Sequence, residues 1–258
     1  MSKIPIYVVS IKDSSRKKSI EQELKNYSFT YIDAVVGADK NKDYINDINN
    51  QEWVKKRYKR KLSPGEIGCA LSHIKIYQKM IENDIEWAII FEDDISIREN
   101  IKSLLTIGRN LLNKNTLYIL GAQQHLDSEK MIITLKRKNL KIDENIIFYD
   151  TFLSSKYIYR TAAYLIHKDV AEKILNFTNQ KFCIADDWHI FHKYKIFNKI
   201  YISDLVYHPD PKNNQSTIEK ERNNSLKKQK IIKSILSLCK VKLRLILKKS
   251  MGKFYDKL

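Results

Sequence analysis

The stretch Trp87-Ala88-Ile89-Ile90-Phe91 carries no charge and stops abruptly at Glu92-Asp93-Asp94, and no other segment narrows the possible folds as far. A half-exposed strand alternates polar and apolar side chains. This one does not alternate, so it reads as a central strand covered on both faces, as in a parallel α/β sheet. Open α/β sheets bind ligands just beyond the carboxyl ends of such strands, which puts three acids where chemistry is expected. If the extended geometry continues, residues 92 and 94 share one side. Two carboxylates roughly 5 Å apart repel by about 3 kcal/mol at an effective dielectric of roughly 20, so they need solvent, shared protons or a metal. Oxygen ligands of this kind suit Mg²⁺ or Mn²⁺ and leave room for substrate phosphates. The plainer reading is a solvated acidic turn after a strand, and the spacing alone leaves both open.

The 258 residues suffice for one large domain or one and a half, with a sizeable core. The net charge of +17 is unevenly placed: Lys220 to Leu258 holds 13 Lys and Arg against two acids, Glu221 and Asp256. The body is therefore only mildly basic, and the tail is a separate interaction surface by composition. Cys69, Cys183 and Cys239 are odd in number, far apart and in no C-x-x-C arrangement. That argues against a disulfide framework and a zinc site, and for a reducing compartment. The apolar run Ile4 to Ile11 contains Pro5, is too short to span a membrane and lacks a small-residue cleavage site. The expected location is the cytoplasm.

In chain order, Ile4 to Ile11 reads as the first strand, followed by a polar turn into a helix reaching about Tyr27, the opening of a βαβ unit. Arg16, just past that strand, suits a nucleotide's phosphates or ribose, or else is part of a solvated basic helix start. Phe29 to Val35 reads as a second strand. Asp33 near its end is placed to bond a base or ribose, or merely to cap a turn. Residues Ala38 to Lys61 read as a surface excursion with one short helix, Gln51 to Tyr58. Ser63-Pro64-Gly65-Glu66 then forms a capping box with Pro at the first helical position, so a helix starts there. Its apolar residues Ile67, Ala70, Leu71, Ile74, Tyr77 and Ile81 follow the 3.6 period, with Glu66 and His73 on the border of that face. A border histidine reaches a polar cleft or is simply structural.

Ile95 to Leu112 reads as a short extension and a helix, Thr116 to Leu120 as a strand ending at Gly121, and the Lys-rich Ala122 to Asn145 as an irregular lid facing the acceptor. Ile146 to Phe152 and Thr161 to Ile166 read as strands, and Lys168 to Phe177 as a helix. Asp186 and Asp187 open a helix running to Tyr194, where acids either cap the first turn or do chemistry. Ile200 to Val206 is a late strand. His208 after it is a further metal ligand or sits in a turn set by Pro209.

Taken together, VVSIKDSSRKKS, DAVVG, LSPGEIGCALSH, WAIIFEDD, AAYLIHKDVAEKIL and IADDWHI, in that order over about Ile4 to Arg222, resemble glycosyltransferase family 25. These are bacterial lipooligosaccharide glycosyltransferases related to animal collagen galactosyltransferases. The resemblance implies an α/β fold of GT-A type, with a Rossmann-like mixed, mostly parallel sheet and helices on both faces. It implies a nucleotide-sugar donor, commonly UDP-galactose, inversion at the anomeric carbon, and a lipooligosaccharide or lipopolysaccharide acceptor. By position, Asp94 is the first metal ligand, with Glu92 and His208 as the others, for Mn²⁺ or Mg²⁺. The leading Glu92 departs from the D-x-D pattern of many GT-A enzymes. Ser10, Arg16, Asp33, Glu66, His73, Glu92 and Asp93 fall to the donor, and Asp186 or Asp187 to the base that activates the acceptor hydroxyl.

The tail carries no motif of the family, so residues 1–222 are expected to form the catalytic domain and 223–258 a separate basic segment. Ile232, Ile235, Leu236, Cys239, Leu243, Ile246 and Leu247 gather on one helical face, with Lys233, Lys240, Arg244 and Lys248 off it. Such a helix suits an anionic membrane surface beside a lipid-linked acceptor, at roughly 1 kcal/mol per basic residue; the alternative is a packed C-terminal helix. The expected location is thus the inner face of the cytoplasmic membrane. A metal-dependent nucleotidyltransferase shares the sheet and acids but needs a phosphate loop, and six glycines form no G-x-G-x-x-G or P-loop pattern. A nucleic-acid binder is suggested by charge alone, yet the charge is not interleaved with stacking aromatics, so no nucleic-acid partner is expected.

Overall fold

The structure is a computed structural model describing residues 3–209 and 252–254. Its framework is one ten-stranded sheet. The strands are β1 (Ile6–Ser10), β2 (Phe29–Asp33), β3 (Trp87–Glu92), β4 (Ser96–Ile97), β5 (Thr116–Gly121), β6 (Ile133–Lys141), β7 (Ile147–Thr151), β8 (Ala163–His167), β9 (Lys199–Tyr207) and β10 (Gly252–Phe254). They lie in the order β10-β6-β7-β9-β5-β8-β3-β1-β2, with β4 on β9. β1 runs parallel to β2 and β3, and β5 parallel to β9; the other ladders are antiparallel. The sheet is thus mixed, as expected, and β1, β2, β3, β5, β6 and β9 share one direction.

The uncharged run became what its lack of alternation requires. β3 lies between β1 and β8, with residues 87–91 fully buried. Successive side chains enter opposite cores, Ala88 and Ile90 one, Trp87, Ile89 and Phe91 the other. The first core is roofed by α4 (Pro64–Glu82), α6 (Lys168–Gln180) and α7 (Trp188–Lys193), through Ile76, Tyr77, Met80, Val170, Ile174, Trp188 and Phe191. The second is closed by α1 (Lys17–Glu23) and the one-turn α5 (Lys102–Leu105), through Ile20, Leu104 and Leu105.

Four local expectations change. The excursion after β2 holds two helices, α2 (Lys42–Asn50), capped by the Asn41 side chain, and α3 (Glu52–Tyr58). The helix expected before Leu112 shrinks to α5 and a 3₁₀ turn at Arg109–Leu111. The presumed lid contains β6, buried at Ile133 and Thr134 and exposed over residues 137–139, joined to β7 by a turn in which Asp143 accepts from the backbone N–H of Asn145 and Ile146. Finally, Glu66 and His73 are not on a border but are 2% and 1% exposed. α4 packs on the sheet and also on α2 and α3, in a smaller core of Ile48, Val54, Ile67 and Ala70, so two of its sides are covered.

The loop after β2 meets α4 at glycines. A Cβ on Gly37 would stand 1.7 Å from the Pro64 carbonyl oxygen, and one on Gly68 2.4 Å from that of Val35. Backbone-to-backbone contact therefore seats residues 34–38 on the start of α4. The basic helix expected over residues 230–249 lies outside the described residues; Gly252–Phe254 pairs with Ile133–Leu135. Among the described residues no helix is long and apolar enough to cross a membrane.

Candidate active site

At the carboxyl ends of the parallel trio β2-β1-β3 lies a cavity of about 570 Å³. Its walls are the segment after β1 (Ser10 to Arg16), the loop 34–38, the first turns of α4 with Cys69, Ser72 and His73, and Glu92-Asp93-Asp94. This is where an open α/β sheet receives its ligand.

The three acids do not share a direction. The strand ends at Glu92 and the chain turns at 93–94, so the expected same-side pairing of Glu92 and Asp94 is lost. Glu92 accepts from the Thr161 hydroxyl and stands 3.6 Å from His73 Nε2. Asp93 is saturated: Ser10 and Ser14 donate to Oδ2 at 2.7 and 2.8 Å, and Arg16 reaches Oδ1 at 3.5 Å. Its carboxylate thereby fixes the segment after β1. Asp94 Oδ2 receives Arg16 at 3.0 Å and faces His208 Nε2 at 3.6 Å, while Asp94 Oδ1 is buried with no hydrogen-bond partner. A buried carboxylate oxygen without a donor costs free energy unless a ligand meets it.

The charges around Asp94 decide its ionisation. Burial pushes the carboxyl up, but His208, then Arg16 and Arg160, outweigh it and hold the group below the usual carboxylate range. His208 mirrors this: burial lowers its pKa, yet bonding to Asp94 leaves it raised. His208 Nδ1 donates to the Pro209 carbonyl at 2.8 Å, which fixes the ring and turns Nε2 toward Asp94. An ionised oxygen lacking a donor fits the oxygen preference of Mn²⁺ or Mg²⁺, and the His208 imidazole alongside joins it as a ligand only by giving up its proton.

The second acidic pair divides. Asp187 accepts from Arg57 Nε and Nη2 at 2.9 and 2.6 Å and from the Tyr58 hydroxyl at 3.0 Å, and its Oδ1 caps α7 through the Ile190 N–H. All its capacity goes into pinning α3 to α7. Asp186, 8% exposed, accepts from the Arg160 N–H at 3.0 Å. Arg160 has φ +64°, and its Nη1 donates to the Ala122 and Gln124 carbonyls at 3.0 and 2.8 Å. Thr161, the next residue, holds Glu92, so two consecutive residues tie Asp186 to the acidic turn.

Two other expected donor residues lie apart. Glu66 forms a fork with Arg60, at 2.7 and 2.6 Å, while its Oε2 closes the capping box on Ser63 N–H at 3.0 Å. It builds the helix start. Asp33 is exposed at the end of β2, where its carbonyl accepts from Lys75; residues 34–38 form the wall instead. Ser14, Cys69, Arg160 and Thr161 were not singled out from the sequence. Their only signals were the serines after β1, the small residues before β8 and the cysteine within GEIGCALSH.

Residues 3–190 match the family described as glycosyltransferase family 25, LPS biosynthesis protein. The chain belongs to glycosyltransferase family 25. Its relatives include the lipooligosaccharide biosynthesis protein lex-1 of Haemophilus influenzae, 28% identical over 70% of this chain and 64% of that protein. Procollagen galactosyltransferase 1-A of Xenopus laevis is 26% identical over 68% of this chain, which spans only 28% of that protein. Among solved structures, a glycosyltransferase involved in glycosylation of the major capsid of PBCV-1 aligns over 84% of this chain and 99% of its own, with a TM-score of 0.42 and 13% identity. The chain is a glycosyltransferase, and the family match spans all six motifs, the last of which ends at Ile190, but stops short of Arg222.

Proposed function

We propose that this family 25 enzyme moves a sugar, galactose first among the candidates, from a UDP-sugar to a lipooligosaccharide or lipopolysaccharide glycan, with inversion and with Mn²⁺ or Mg²⁺ bound. Relatives named for galactosyl transfer and for lipooligosaccharide biosynthesis support the donor and acceptor classes. The observation that carries the reading is the unpartnered, buried Asp94 Oδ1 in a cavity at the carboxyl edge of β1, β2 and β3. It supports a GT-A arrangement with the nucleotide over that edge.

Asp94 and His208 would hold the cation, which supplies Lewis-acid stabilisation of the departing diphosphate. Arg16, a third exposed, is the mobile cation of the site: released from Asp94, its guanidinium meets a phosphate oxygen. Asp93 keeps the Arg16 segment in place through Ser10 and Ser14. Asp186 is the better base of its pair, because Asp187 already answers Arg57 and Tyr58; it takes the acceptor proton as the hydroxyl attacks in line. The bonds of Asp187 to Arg57 and Tyr58 support this choice between two acids that the sequence left equal.

A panel of nucleotide sugars, assayed for nucleotide release with Mn²⁺ present or chelated, tests the reading. UDP released from UDP-galactose only with metal is expected; a different preferred nucleotide, or release unaffected by chelation, overturns the corresponding part. For the tail, peripheral binding at the inner membrane face is supported by the 11 basic residues against one acid in residues 223–258. Deleting residues after Asn223 should lower co-sedimentation with anionic vesicles and spare transfer to a soluble acceptor. Unchanged co-sedimentation would contradict it.

A further inference from the structure

The back wall of the cavity carries a second group of ligand-type side chains. Cys69 and His73 are four residues apart on α4 and so share one face, and Glu92 approaches them from the end of β3. One ligand atom from each, a sulfur, a nitrogen and an oxygen, lies within 4.8 Å of the other two. From the sequence, the scattered cysteines spoke against zinc; the fold supplies the missing ligands from another element.

His73 makes the group more than a coincidence of side chains. Its ring is 1% exposed, and Nδ1 is 2.7 Å from the Tyr164 hydroxyl, itself 2.9 Å from that of Tyr77. Nε2 is buried with no hydrogen-bond partner and points at Glu92 Oε1, 3.6 Å away, beyond hydrogen-bond reach. If Nδ1 carries the proton and donates to Tyr164, Nε2 presents a bare lone pair to a carboxylate oxygen. Two acceptors then face each other, the nitrogen buried and the carboxylate half-buried, and a cation between them resolves the conflict. The bonds of Nδ1 to Tyr164 are the outer support a metal-bound imidazole normally has.

We infer that Cys69, His73 and Glu92 form a binding site for a borderline-soft divalent cation, Zn²⁺ by preference, distinct from the hard-cation position at Asp94. Zinc bonds of about 2.0–2.3 Å in a tetrahedron set ligand atoms about 3.3–3.8 Å apart. The Nε2–Oε1 separation of 3.6 Å already falls in that range, and the remaining spread closes with a small rotation of a side chain. A mixed sulfur, nitrogen and oxygen set selects Zn²⁺ over Mg²⁺ or Mn²⁺. All three side chains line the cavity, so a fourth ligand, water or a bound molecule, would come from there. Binding needs the Cys69 thiolate and displaces its proton to solvent. The inference does not rest on the donor or acceptor proposed above, since it concerns metal binding by the resting enzyme.

The test is titration of the full-length, metal-free protein with Co²⁺ as a spectroscopic stand-in for Zn²⁺. One equivalent should raise a thiolate-to-cobalt charge-transfer band with ligand-field bands of tetrahedral intensity, and Zn²⁺ should bleach both. C69S should lose the charge-transfer band, H73A should bind Zn²⁺ at least about tenfold more weakly, and Y164F should weaken it by about tenfold through the outer support. D94N should keep the band, which separates this position from the hard-cation one, and C183S should keep it too. No thiolate band at one equivalent, or a band that survives in C69S, overturns the inference. Should C69S fail to fold, protection of Cys69 from alkylation by Zn²⁺ in the native chain reads the same contact, and unprotected alkylation overturns it.

Discussion

The chain carries two acidic clusters at the ends of buried elements, Glu92-Asp93-Asp94 after β3 and Asp186-Asp187 before α7, and their side chains meet opposite circumstances. In the first, one oxygen of Asp94 is buried and unanswered while its neighbours are bound. In the second, Asp187 is answered by Arg57, Tyr58 and the start of α7. Adjacent acids look equivalent as letters; what separates ligand-binding from structural acids is whether the fold supplies donors for every lone pair.

The largest effect should come from Asp94→Asn. Removing the charge at the unanswered oxygen should lower transfer by on the order of 10²–10³-fold, with the thermal midpoint falling only modestly as Arg16 and His208 lose one partner. Initial rates alongside melting curves check this, and near-normal transfer in the presence of metal would erase the contrast between the clusters. Next is Asp186→Asn, expected to lower kcat by on the order of 10²-fold as an acceptor-side base, with KM for donor little changed. Asp187→Ala should behave oppositely: it leaves Arg57 without its carboxylate and α7 without its cap. The buried-pair penalty is discounted because Arg57 is about one-third exposed, so the loss is about 2 kcal/mol and the midpoint falls by about 4–8 °C. Transfer per folded molecule should survive. A kinetic collapse in Asp187→Ala without loss of stability would reverse the assignment within the pair.

The smallest effect lies away from both clusters, at the far end of β3, where Trp87 pairs with His167. The neutral His167 Nδ1 accepts from the Asp169 N–H at 3.0 Å and caps α6. Burial depresses its pKa, against the opposing pull of Asp169 and Glu86. The unfolded chain therefore takes up the proton first. The stability this group contributes is whole above its unfolded value of about 6.5 and is lost as pH falls through the lower folded value. Melting midpoints should decline across that window in the native chain and less so in His167→Asn, which keeps a capping side chain. Equal slopes would exclude His167 as the titrating group.

The legible parts of the fold were those with a strong local signature. The uncharged run 87–91 gave a central strand, and Ser63-Pro64-Gly65-Glu66 gave a helix start with both arms of its capping box formed. β6 was not legible, because its burial does not alternate and its middle is charged and exposed, and neither was α2, whose cap Asn41 sits in an evenly polar stretch. At the site, the sequence named Asp94, Arg16, Glu92 and His73, which line one cavity from three elements, and His208, which follows β9 and faces Asp94. It could not name Arg160 or Thr161: their roles depend on a left-handed residue before β8 and on contacts 26 and 69 residues away in sequence. Nor could it tell Asp186 from Asp187, since only Arg57 and Tyr58, brought across by α3, distinguish them.

Calorimetric titration of UDP into the protein with Mn²⁺ tests most directly whether the unanswered oxygen of Asp94 marks the nucleotide site. Saturable binding that disappears on chelation and in Asp94→Asn, and persists in Asp187→Ala, is the expected result. UDP binding of equal strength in all three proteins and without metal, or none in any, would contradict it.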